Sequence, residues 1–489
     1  MSKNNQDLFY AIREQVLQDI RPTPDEIDGI QSIAATLQES IEKYASAAGV
    51  PINFFEIEGS TGLKQTQLRN ASDIDAFVGL PLEYVLPGGR QDRKINHKEL
   101  RQMFAQMVST WLTAAAEDAG ATNVDLSYSE HPYLTAKMGH YDVDVVLCVD
   151  LPEEELLQYG PVTAVDRSPW HSRYLASALN DDQRDDVRLL KQFCKACHAY
   201  GDTSAPGQAG FIGYASELLV AHFGSFWDVI EVFSDLPQTP VDPFGREITQ
   251  LRKNSRLQGD FLLVIDPTDR NRNVAASISP RAFRWVNARI QEFFAAPSAD
   301  FFQIHPVPEV VDTPSEYRVI EFQATGRRHY TILRDKLYSW ANSTQKLAAQ
   351  ELTHEPRFEG ANFELFFKPD VGEYALAFWT STPEISAEYL RQGPAVLDDA
   401  AVGNQFKGPP NVQKFLNKHP DAFIKEGFYW INQARDFTDF TTFLVHQLDE
   451  RPIDDALQVI NLPHLTPTTV TGRQSIYVLR EMVLPYEPS

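Results

Sequence analysis

Two apolar segments of the chain each begin with a pair of aspartates separated by a single residue. The first segment reads DIDAFVGL and the second reads YDVDVVLCV. Because side chains alternate across a β-strand, Asp73 and Asp75 project to one face of the first strand. Asp142 and Asp144 share one face of the second strand in the same way. Adjacent carboxylates repel each other and are costly to bury, so the pattern requires a positive charge beside them.

Carboxylates in this arrangement are suited to a divalent metal. Two from one strand and a third from its neighbour supply the oxygen ligands that Mg²⁺ prefers, and water and substrate phosphate complete its shell. Two such metals about 4 Å apart activate an attacking hydroxyl and stabilise a leaving pyrophosphate. Gly59 and Ser60 follow another strand-like run and can approach a terminal phosphate through backbone and hydroxyl. The pattern favours nucleotidyl transfer, although both short motifs also occur by chance.

Charge and cysteine content limit the class of protein further. The chain has 44 basic and 67 acidic residues, a net charge of −23. A protein that holds a large duplex through its phosphates usually carries a basic face, so this balance argues against an extended nucleic-acid footprint. Three cysteines cannot form a disulfide framework, and the first residues contain no apolar signal region. We therefore predict a cytoplasmic protein that is not itself inserted in a membrane.

Longer blocks of the sequence resemble the archaeal-type (class I) CCA-adding enzymes of the DNA polymerase beta-like nucleotidyltransferase superfamily. They include EGST with DIDAFV, HPYLTAKMGHYDVDVVLC, VDRSPWH, DVRLLKQFCKACHAYG, GFIGYASELLVAHFGSF and VIDPTDRNRNVA. The resemblance implies an α+β multidomain fold. It consists of a polymerase beta-like head with a mixed sheet (residues 1–175), a helical middle domain that closes over the nucleotide (176–295), and an α+β C-terminal region that ends in a short tail (296–489).

The resemblance also implies roles for individual residues. Asp73, Asp75 and Asp144 match the ligands of a two-metal Mg²⁺ site, and Asp144 also matches the general base. Asp142 remains the alternative third carboxylate. The matched nucleotide-binding residues are Gly59, Ser60, Ser168, His171 and Arg272, together with Lys191 and Tyr200 for the incoming triphosphate.

The chain departs from the CCA-enzyme pattern at two segments. The loop between Gly59 and Asp73 is one residue longer and reads LKQTQL where the family has an Arg-Asn-Thr-Trp type segment. The segment GDTSAPGQAGF lacks the basic residues that the family often carries there. With the net charge, these departures favour a resemblance to the Hailong-type anti-phage nucleotidyltransferases. That family makes single-stranded DNA oligomers, primes on a C-terminal tyrosine and controls a membrane effector, so Tyr486 becomes a candidate primer.

Three functions follow from these observations. The first is a template-independent polymerase in bacterial defence, which joins deoxynucleotides such as dATP into a short single-stranded oligonucleotide that controls a membrane effector. The second is a CCA-adding enzyme that extends the tRNA 3′ end with CTP and ATP. The third is an inactive nucleotide-binding scaffold, against which the presence of all three carboxylates argues.

Overall fold

The chain forms two compact units, which are described separately. The computed structural model describes residues 3–71, 73–89, 96–128, 131–349, 357–396 and 410–488. Unit 1 contains residues 1–201 and 210–304, and unit 2 contains residues 202–209 and 305–489. The predicted head (1–175) and the predicted middle domain (176–295) fall within unit 1, except for residues 202–209, and the boundary between the two domains stays a prediction.

Unit 1 is built on a five-stranded mixed sheet with the order β1-β2-β5-β4-β3. Its strands and those of a separate two-stranded ribbon are β1 (Phe54–Ile57), β2 (Asp73–Pro81), β3 (Thr122–Tyr128), β4 (Pro132–Met138), β5 (Tyr141–Asp150), β6 (Ile265–Asp266) and β7 (Asp269–Asn273). The neighbours β2 and β5 run parallel, and the other neighbours in the sheet run antiparallel. The α+β class and the mixed sheet that we predicted are confirmed.

Helices supply the rest of unit 1. They are α1 (Lys3–Ile20), α2 (Pro24–Ala48), α3 (Leu82–Val85), α4 (His97–Met107), α5 (Thr113–Asp118), α6 (Glu153–Tyr159), α7 (Ser168–Ala178), α8 (Asp181–Ala196), α9 (Gly213–Phe223), α10 (Phe226–Glu231), α11 (Ile248–Leu251) and α12 (Pro280–Ala295). Helix α2 begins at a capping box, in which Thr23 accepts from the Glu26 amide and the Glu26 carboxylate accepts from the Thr23 amide. A π-helical turn over Val108–Leu112 connects α4 and α5.

The two central strands of the sheet carry different chemistry on their two faces. Ile74 of β2 and Val143 of β5 are buried on one face, in a core that also contains Leu37 of α2 and Phe104 of α4. The alternate residues therefore project to the opposite face, and the aspartates that begin β2 and β5 are among them. Burial of the apolar residues thus determines which face receives the carboxylates.

Unit 2 contains two further sheets with helices. The four-stranded sheet has the order β14-β8-β10-β9, and the three-stranded sheet has the order β11-β13-β12. The strands are β8 (Tyr317–Ala324), β9 (Asn362–Lys368), β10 (Glu373–Trp379), β11 (Glu388–Ala395), β12 (Phe423–Lys425), β13 (Phe428–Ala434) and β14 (Leu457–Val459). The helices are α13 (Tyr330–Ala348), α14 (Pro410–Lys418), α15 (Phe440–Glu450) and α16 (Val470–Tyr477).

The last described residues, in the region where the sequence predicts a short tail, are helical. After α16 the chain continues as a π-helical segment, Val478–Val483, and then as a 3-10 turn, Leu484–Tyr486. Leu479 and Val483 are buried in the core cluster of this part of unit 2. Tyr486 is half-buried on the last turn. Among the described residues, no helix is both long enough and apolar enough to cross a membrane.

Candidate active site

The parallel pairing of β2 and β5 brings the two aspartate pairs into register. Asp73 lies opposite Asp142, and Asp75 lies opposite Asp144. Register partners in neighbouring strands share a face, so four carboxylates form two adjacent rows on the face opposite the core. Sequence periodicity predicts the face of each pair, but only the pairing of the strands joins the two pairs into one cluster.

Two of these carboxylates are perturbed by their surroundings. Burial raises the pKa of Asp144 to about 6, and the negative charges of Asp75, Asp73 and Asp142 add to this effect. Burial also raises the pKa of Asp75, with a further contribution from the charge of Asp73, and the charge of Lys64 opposes it. Each perturbed carboxylate is therefore destabilised in its ionised form, and a cation bound beside them would remove the repulsion.

Asp142 and Asp144 differ in the partner that each one has. The Lys137 ammonium of β4 lies 2.7 Å from the Asp142 Oδ1 atom, and the Asp142 side chain is 55% exposed. Asp144 is half-buried, and its carboxylate has no ion pair within the described part of the chain. Asp142 is thus already neutralised by a protein cation, which favours Asp144 as the third metal ligand.

The donor set fits a divalent metal, although it is not assembled as a closed site. Among the residues that the structure describes, no group of three or more His, Cys, Asp or Glu side chains is arranged so that it could hold a metal ion. Asp73, Asp75 and Asp144 nevertheless supply oxygen donors, two of them with raised pKa values, and hard divalent cations prefer such ligands. When bound there, a divalent metal would supply charge neutralisation and Lewis acidity.

The Gly-Ser loop lies directly against the aspartates of β2. Gly59 has a φ of +65°, and a Cβ atom built on it would collide with the Asp75 carboxylate. The Glu58 amide donates to the Asp75 carbonyl at 2.7 Å, and the Thr61 hydroxyl donates to the Asp73 carbonyl at 3.1 Å. A residue without a side chain is therefore required at position 59 for both conformational and steric reasons.

We expect Gly59→Ala to lower the rate of nucleotide incorporation by about tenfold or more, because the new methyl group must displace the carboxylate of Asp75, a candidate metal ligand. Gly120→Ala is the matched control, since Gly120 also has a positive φ, +85°, but has no atom within 4 Å of a built Cβ. Both variants should lose about 1 kcal/mol of folding free energy through backbone strain. Steady-state kinetics and thermal unfolding of the two proteins make the comparison, and equal activity in both would contradict this role of Gly59.

A buried carboxyl group supports the same loop. Glu58 is buried, and its Oε2 atom accepts a hydrogen bond from the Ser172 hydroxyl of α7. Burial raises the pKa of Glu58 to about 8, and the bond from Ser172 opposes this effect only in part. The Glu58 carboxyl group is therefore protonated in most of the protein molecules at neutral pH, so it adds little negative charge beside the Gly-Ser loop.

A cavity of about 420 Å³ joins the Gly-Ser loop to α8 and α9. Its lining includes five of the residues that the sequence singles out, namely Gly59, Ser60, Asp73, Lys191 and Tyr200. Ser168, His171 and Arg272 are not among the residues that line it. The structure thus brings together the loop, one metal-ligand candidate and the two residues expected at the triphosphate.

Lys191 lies in a buried network within this cavity. Its ammonium is 2.7 Å from Glu217 Oε1, and the Lys64 ammonium is 2.8 Å from Glu217 Oε2. The Thr66 hydroxyl also donates to Glu217, and Lys191 donates to the Thr66 carbonyl. Burial lowers the pKa of Lys191 to about 8, and the charge of Glu217 opposes this effect.

Three charged residues that line this cavity, Glu217, Lys64 and Lys195, were not predicted from the sequence. Glu217 stands in the apolar helical segment ASELLVAHF, and a carboxylate in such a position is seldom buried without a cation. The position of Glu217 in the sequence therefore predicts a buried ion pair, but only the fold shows that its partners are Lys64 and Lys191. Lys64 belongs to the loop LKQTQL, and Lys195 lies one turn beyond Lys191 on α8.

His171 and Arg272 converge on a different buried carboxylate, that of Asp266. The His171 Nε2 atom lies 2.9 Å from Asp266 Oδ2, and Arg272 donates to the same oxygen at 2.6 Å. The His171 ring stacks on Tyr214, which lines the cavity, with ring centroids 4.3 Å apart. Although burial alone would raise it, the bonds from His171 hold the pKa of Asp266 well below its usual range, and Arg272 reinforces them. This cluster therefore contacts the cavity wall through Tyr214, whose hydroxyl donates to Asp266 at 3.3 Å. Ser168 lies in the first turn of α7, the helix that also carries His171.

Known proteins resemble this chain over most of its length. Residues 185–303 match the family described as tRNA nucleotidyltransferase, second domain. The CCA-adding enzyme of Pyrobaculum neutrophilum is 30% identical over 345 residues, which cover 67% of this chain and 75% of that enzyme. The CCA-adding enzyme of Pyrobaculum aerophilum is 26% identical over 436 residues, which cover 86% and 89%. A solved cytoplasmic RNA terminal U-transferase is 13% identical with a TM-score of 0.44, over 62% of this chain and 100% of that one.

These relatives overturn the prediction of a role in anti-phage defence. Curated relatives that cover most of the chain are CCA-adding enzymes, so the second function derived from the sequence is the supported one. The self-primed oligonucleotide and its membrane effector have no support among them. The candidate primer Tyr486 belonged to that function, and its side chain lies half-buried on a 3-10 turn. The departures in LKQTQL and GDTSAPGQAGF and the net charge were given too much weight.

Proposed function

Because the chain belongs to the family of CCA-adding enzymes, we propose that it adds the terminal C, C and A to the 3′ end of tRNA, using CTP and ATP and releasing pyrophosphate. The proposal is carried by one observation, the cavity that joins the Gly-Ser loop and Asp73 to Lys191 and Tyr200. Its volume of about 420 Å³ is in the range of small-molecule sites.

The carboxylates take two roles in this proposal. Asp73, Asp75 and Asp144 would hold Mg²⁺, the hard cation that suits an all-oxygen set and binds with substrate phosphate. Asp144 is also the proposed general base, because it is the carboxylate of β5 that no protein cation neutralises, whereas Asp142 is paired with Lys137. Asp144 would accept the proton of the tRNA 3′-hydroxyl as the 3′-oxygen forms its bond to the α-phosphorus and pyrophosphate leaves.

The cavity walls hold the nucleotide in place. The Ser60 amide and hydroxyl would bind the terminal phosphate beside Gly59, and Lys191 and Tyr200 would face the phosphate chain from α8 and its C-terminal end. His171 and Arg272 would act through the cavity wall, because both are bound to Asp266. A rigid, preassembled wall lowers the entropic cost of aligning the α-phosphate with the attacking hydroxyl.

The domain roles follow the same family. We assign the head (1–175) to the carboxylates and the Gly-Ser loop, and the middle domain (176–295) to the opposite wall of the cavity. The C-terminal region (296–489) is assigned to the tRNA body, as in CCA-adding enzymes. Total charge does not locate a basic groove, so the net charge of −23 is compatible with this substrate.

The test is incorporation of labelled nucleotides into tRNA that lacks its terminal CCA. With Mg²⁺, we expect label from CTP first and from ATP only after CTP has been added, and no label on tRNA that already ends in CCA. Chelation of divalent metal should abolish the signal. Tyr486→Phe should be as active as the unaltered protein, since no primer tyrosine is involved. Oligomers formed without tRNA, or a failure to label tRNA when both nucleotides are present, would refute the proposal.

A further inference from the structure

Another cavity of unit 1, of about 380 Å³, lies away from the cavity beside the Gly-Ser loop. It is formed by the start of α4, by His131 just before β4, and by residues 161–167, which lead into α7. None of its lining residues also lines the cavity beside the Gly-Ser loop. The Val149 amide donates to Asp166 at 2.9 Å, so this segment is attached to β5 well beyond Asp144. At 3.3 Å per residue, the separation from the aspartate cluster is about 16 Å along the strand.

The lining of this cavity is positively charged. It contains two arginines and two histidines, Arg101, Arg167, His97 and His131, and the described residues that form it include no aspartate or glutamate. Arg101 is exposed on α4, whereas the Arg167 Nη2 atom lies 3.2 Å from an oxygen of Asp269. One carboxylate is thus paired with one of the two guanidinium groups, and the cavity keeps an excess of positive charge.

Arg167 has a buried donor without an acceptor. Its Nε atom has no hydrogen-bond partner among the described residues, although its Nη2 atom is paired with Asp269. A guanidinium group stays charged and can only donate hydrogen bonds, so a buried Nε–H group without an acceptor is costly. Arg167 belongs to the block VDRSPWH, but it does not line the cavity beside the Gly-Ser loop. The missing acceptor therefore has to come from a ligand of this second cavity.

His131 is another buried group without a partner. The residue is 4% exposed, its ring packs against Phe104 with ring centroids 4.5 Å apart, and its Nε2 atom has no hydrogen-bond partner in the described part of the chain. Burial lowers the pKa of His131 to about 4, the Leu147 carbonyl opposes this effect, and the positive charge of Arg101 adds to it. The ring is therefore neutral at neutral pH, with one nitrogen that donates and one that accepts.

An oxyanion of the phosphate type meets the requirements of both groups. Its oxygen atoms accept from the Arg167 Nε–H group and from Arg101, and hydrogen phosphate can accept from the His131 ring or donate to it. We propose that this cavity binds a phosphate group, with Arg167 and His131 as the buried partners and Arg101 as the exposed one. Its volume admits inorganic phosphate or a small phosphorylated molecule. The inference goes beyond the proposed function and does not rest on it, because no residue of this cavity has a role there.

Calorimetry with inorganic phosphate tests the site directly, in a buffer that contains chelator and no other phosphate or sulfate. Arg101→Met removes an exposed cation of the cavity, and the matched control Lys98→Met removes an exposed cation of the same helix that does not line it. We expect Arg101→Met to weaken phosphate binding by about tenfold, the usual effect of losing a charged hydrogen bond. Lys98→Met should bind as the unaltered protein does. Arg167→Lys keeps a charge beside Asp269 but lacks the Nε–H group, so it should also bind more weakly.

Comparison of ligands identifies the anion. Acetate should bind about tenfold more weakly than phosphate, because it has fewer acceptor oxygens for the two arginines. Tighter binding of ribose 5-phosphate than of inorganic phosphate would identify a phosphorylated metabolite as the ligand, and the reverse order would identify free phosphate.

Three results would overturn the proposal. The first is an absence of phosphate binding by the unaltered protein. The second is equal phosphate affinity of the Arg101→Met and Lys98→Met variants, because the anion would then bind elsewhere, as in the cavity beside the Gly-Ser loop. The third is acetate binding as tight as that of phosphate, which would reject the assignment to a phosphate group. Both exposed positions tolerate substitution, so these results do not depend on whether Arg167→Lys folds.

Discussion

Asp144→Asn should lower nucleotide incorporation by about a thousandfold or more, whereas Asp142→Asn should retain most of the activity. The two residues lie two positions apart on one face of β5, and each is in register with an aspartate of β2. Asp144 is half-buried with a raised pKa, while Asp142 is neutralised by Lys137. A factor of a thousand corresponds to about 4 kcal/mol of transition-state stabilisation, a reasonable loss when a metal ligand and general base is removed. Single-turnover incorporation of CTP into tRNA without its CCA end measures the difference.

The stability of the two variants supplies the control. In the absence of metal, Asp144→Asn should leave the free energy of unfolding unchanged or raise it, because it removes one of several repelling carboxylates. Asp142→Asn should lower it by less than about 1 kcal/mol, since a half-exposed ion pair contributes little. Equal losses of activity in both variants would mean that the structure does not distinguish the two carboxylates, and our choice of Asp144 would be wrong.

Glu217→Gln should destabilise unit 1 by about 3–5 kcal/mol, because it leaves the buried ammonium groups of Lys64 and Lys191 without their shared counter-charge. Burial alone would raise the pKa of Glu217, but the charges of Lys191 and Lys64 outweigh it and lower the pKa to about 2. The carboxylate is therefore ionised throughout the neutral range, and glutamine removes a full charge. Urea denaturation followed by tryptophan fluorescence gives the change in unfolding free energy.

A double variant separates this charge effect from a simple loss of packing. Glu217→Gln combined with Lys191→Met removes one carboxylate and one ammonium, so it should recover part of the stability that Glu217→Gln loses. Glu231→Gln, at an exposed position at the end of α10, is the matched control and should change the free energy by less than about 0.5 kcal/mol. If Glu217→Gln is as stable as Glu231→Gln, the network around Glu217 is not the support we describe.

The sequence was most informative where the signal is local. The two strands that carry the aspartate pairs, β2 and β5, are found close to the positions that the sequence predicts. Periodicity and turn chemistry act over a few residues, so they can be recognised without the fold. The two aspartate pairs could be recognised in the same way, since alternation in a strand places both members on one face.

The long blocks of resemblance identified the family correctly. The departures from the family pattern led to a wrong prediction of function, a role in anti-phage defence. Net charge and two altered loops were taken as evidence against tRNA, although total charge does not locate a groove. The tail at Tyr486 was inferred from its position near the end of the chain and its flanking prolines. Its helical form depends on burial of Leu479 and Val483 among residues far away in sequence.

The sequence by itself therefore determined the family, the fold class and the two aspartate pairs that are the candidates for metal ligands. Only the tertiary structure decided that β2 and β5 pair in parallel with Asp75 beside Asp144, that Lys137 neutralises Asp142, and that Glu217 occupies Lys64 and Lys191 while Lys195 lacks a carboxylate partner. The physical reason is range. Strand and helix patterns depend on neighbouring residues, whereas strand register and the pairing of buried charges depend on residues that are distant in the sequence, such as Asp75 with Asp144 and Lys64 with Glu217.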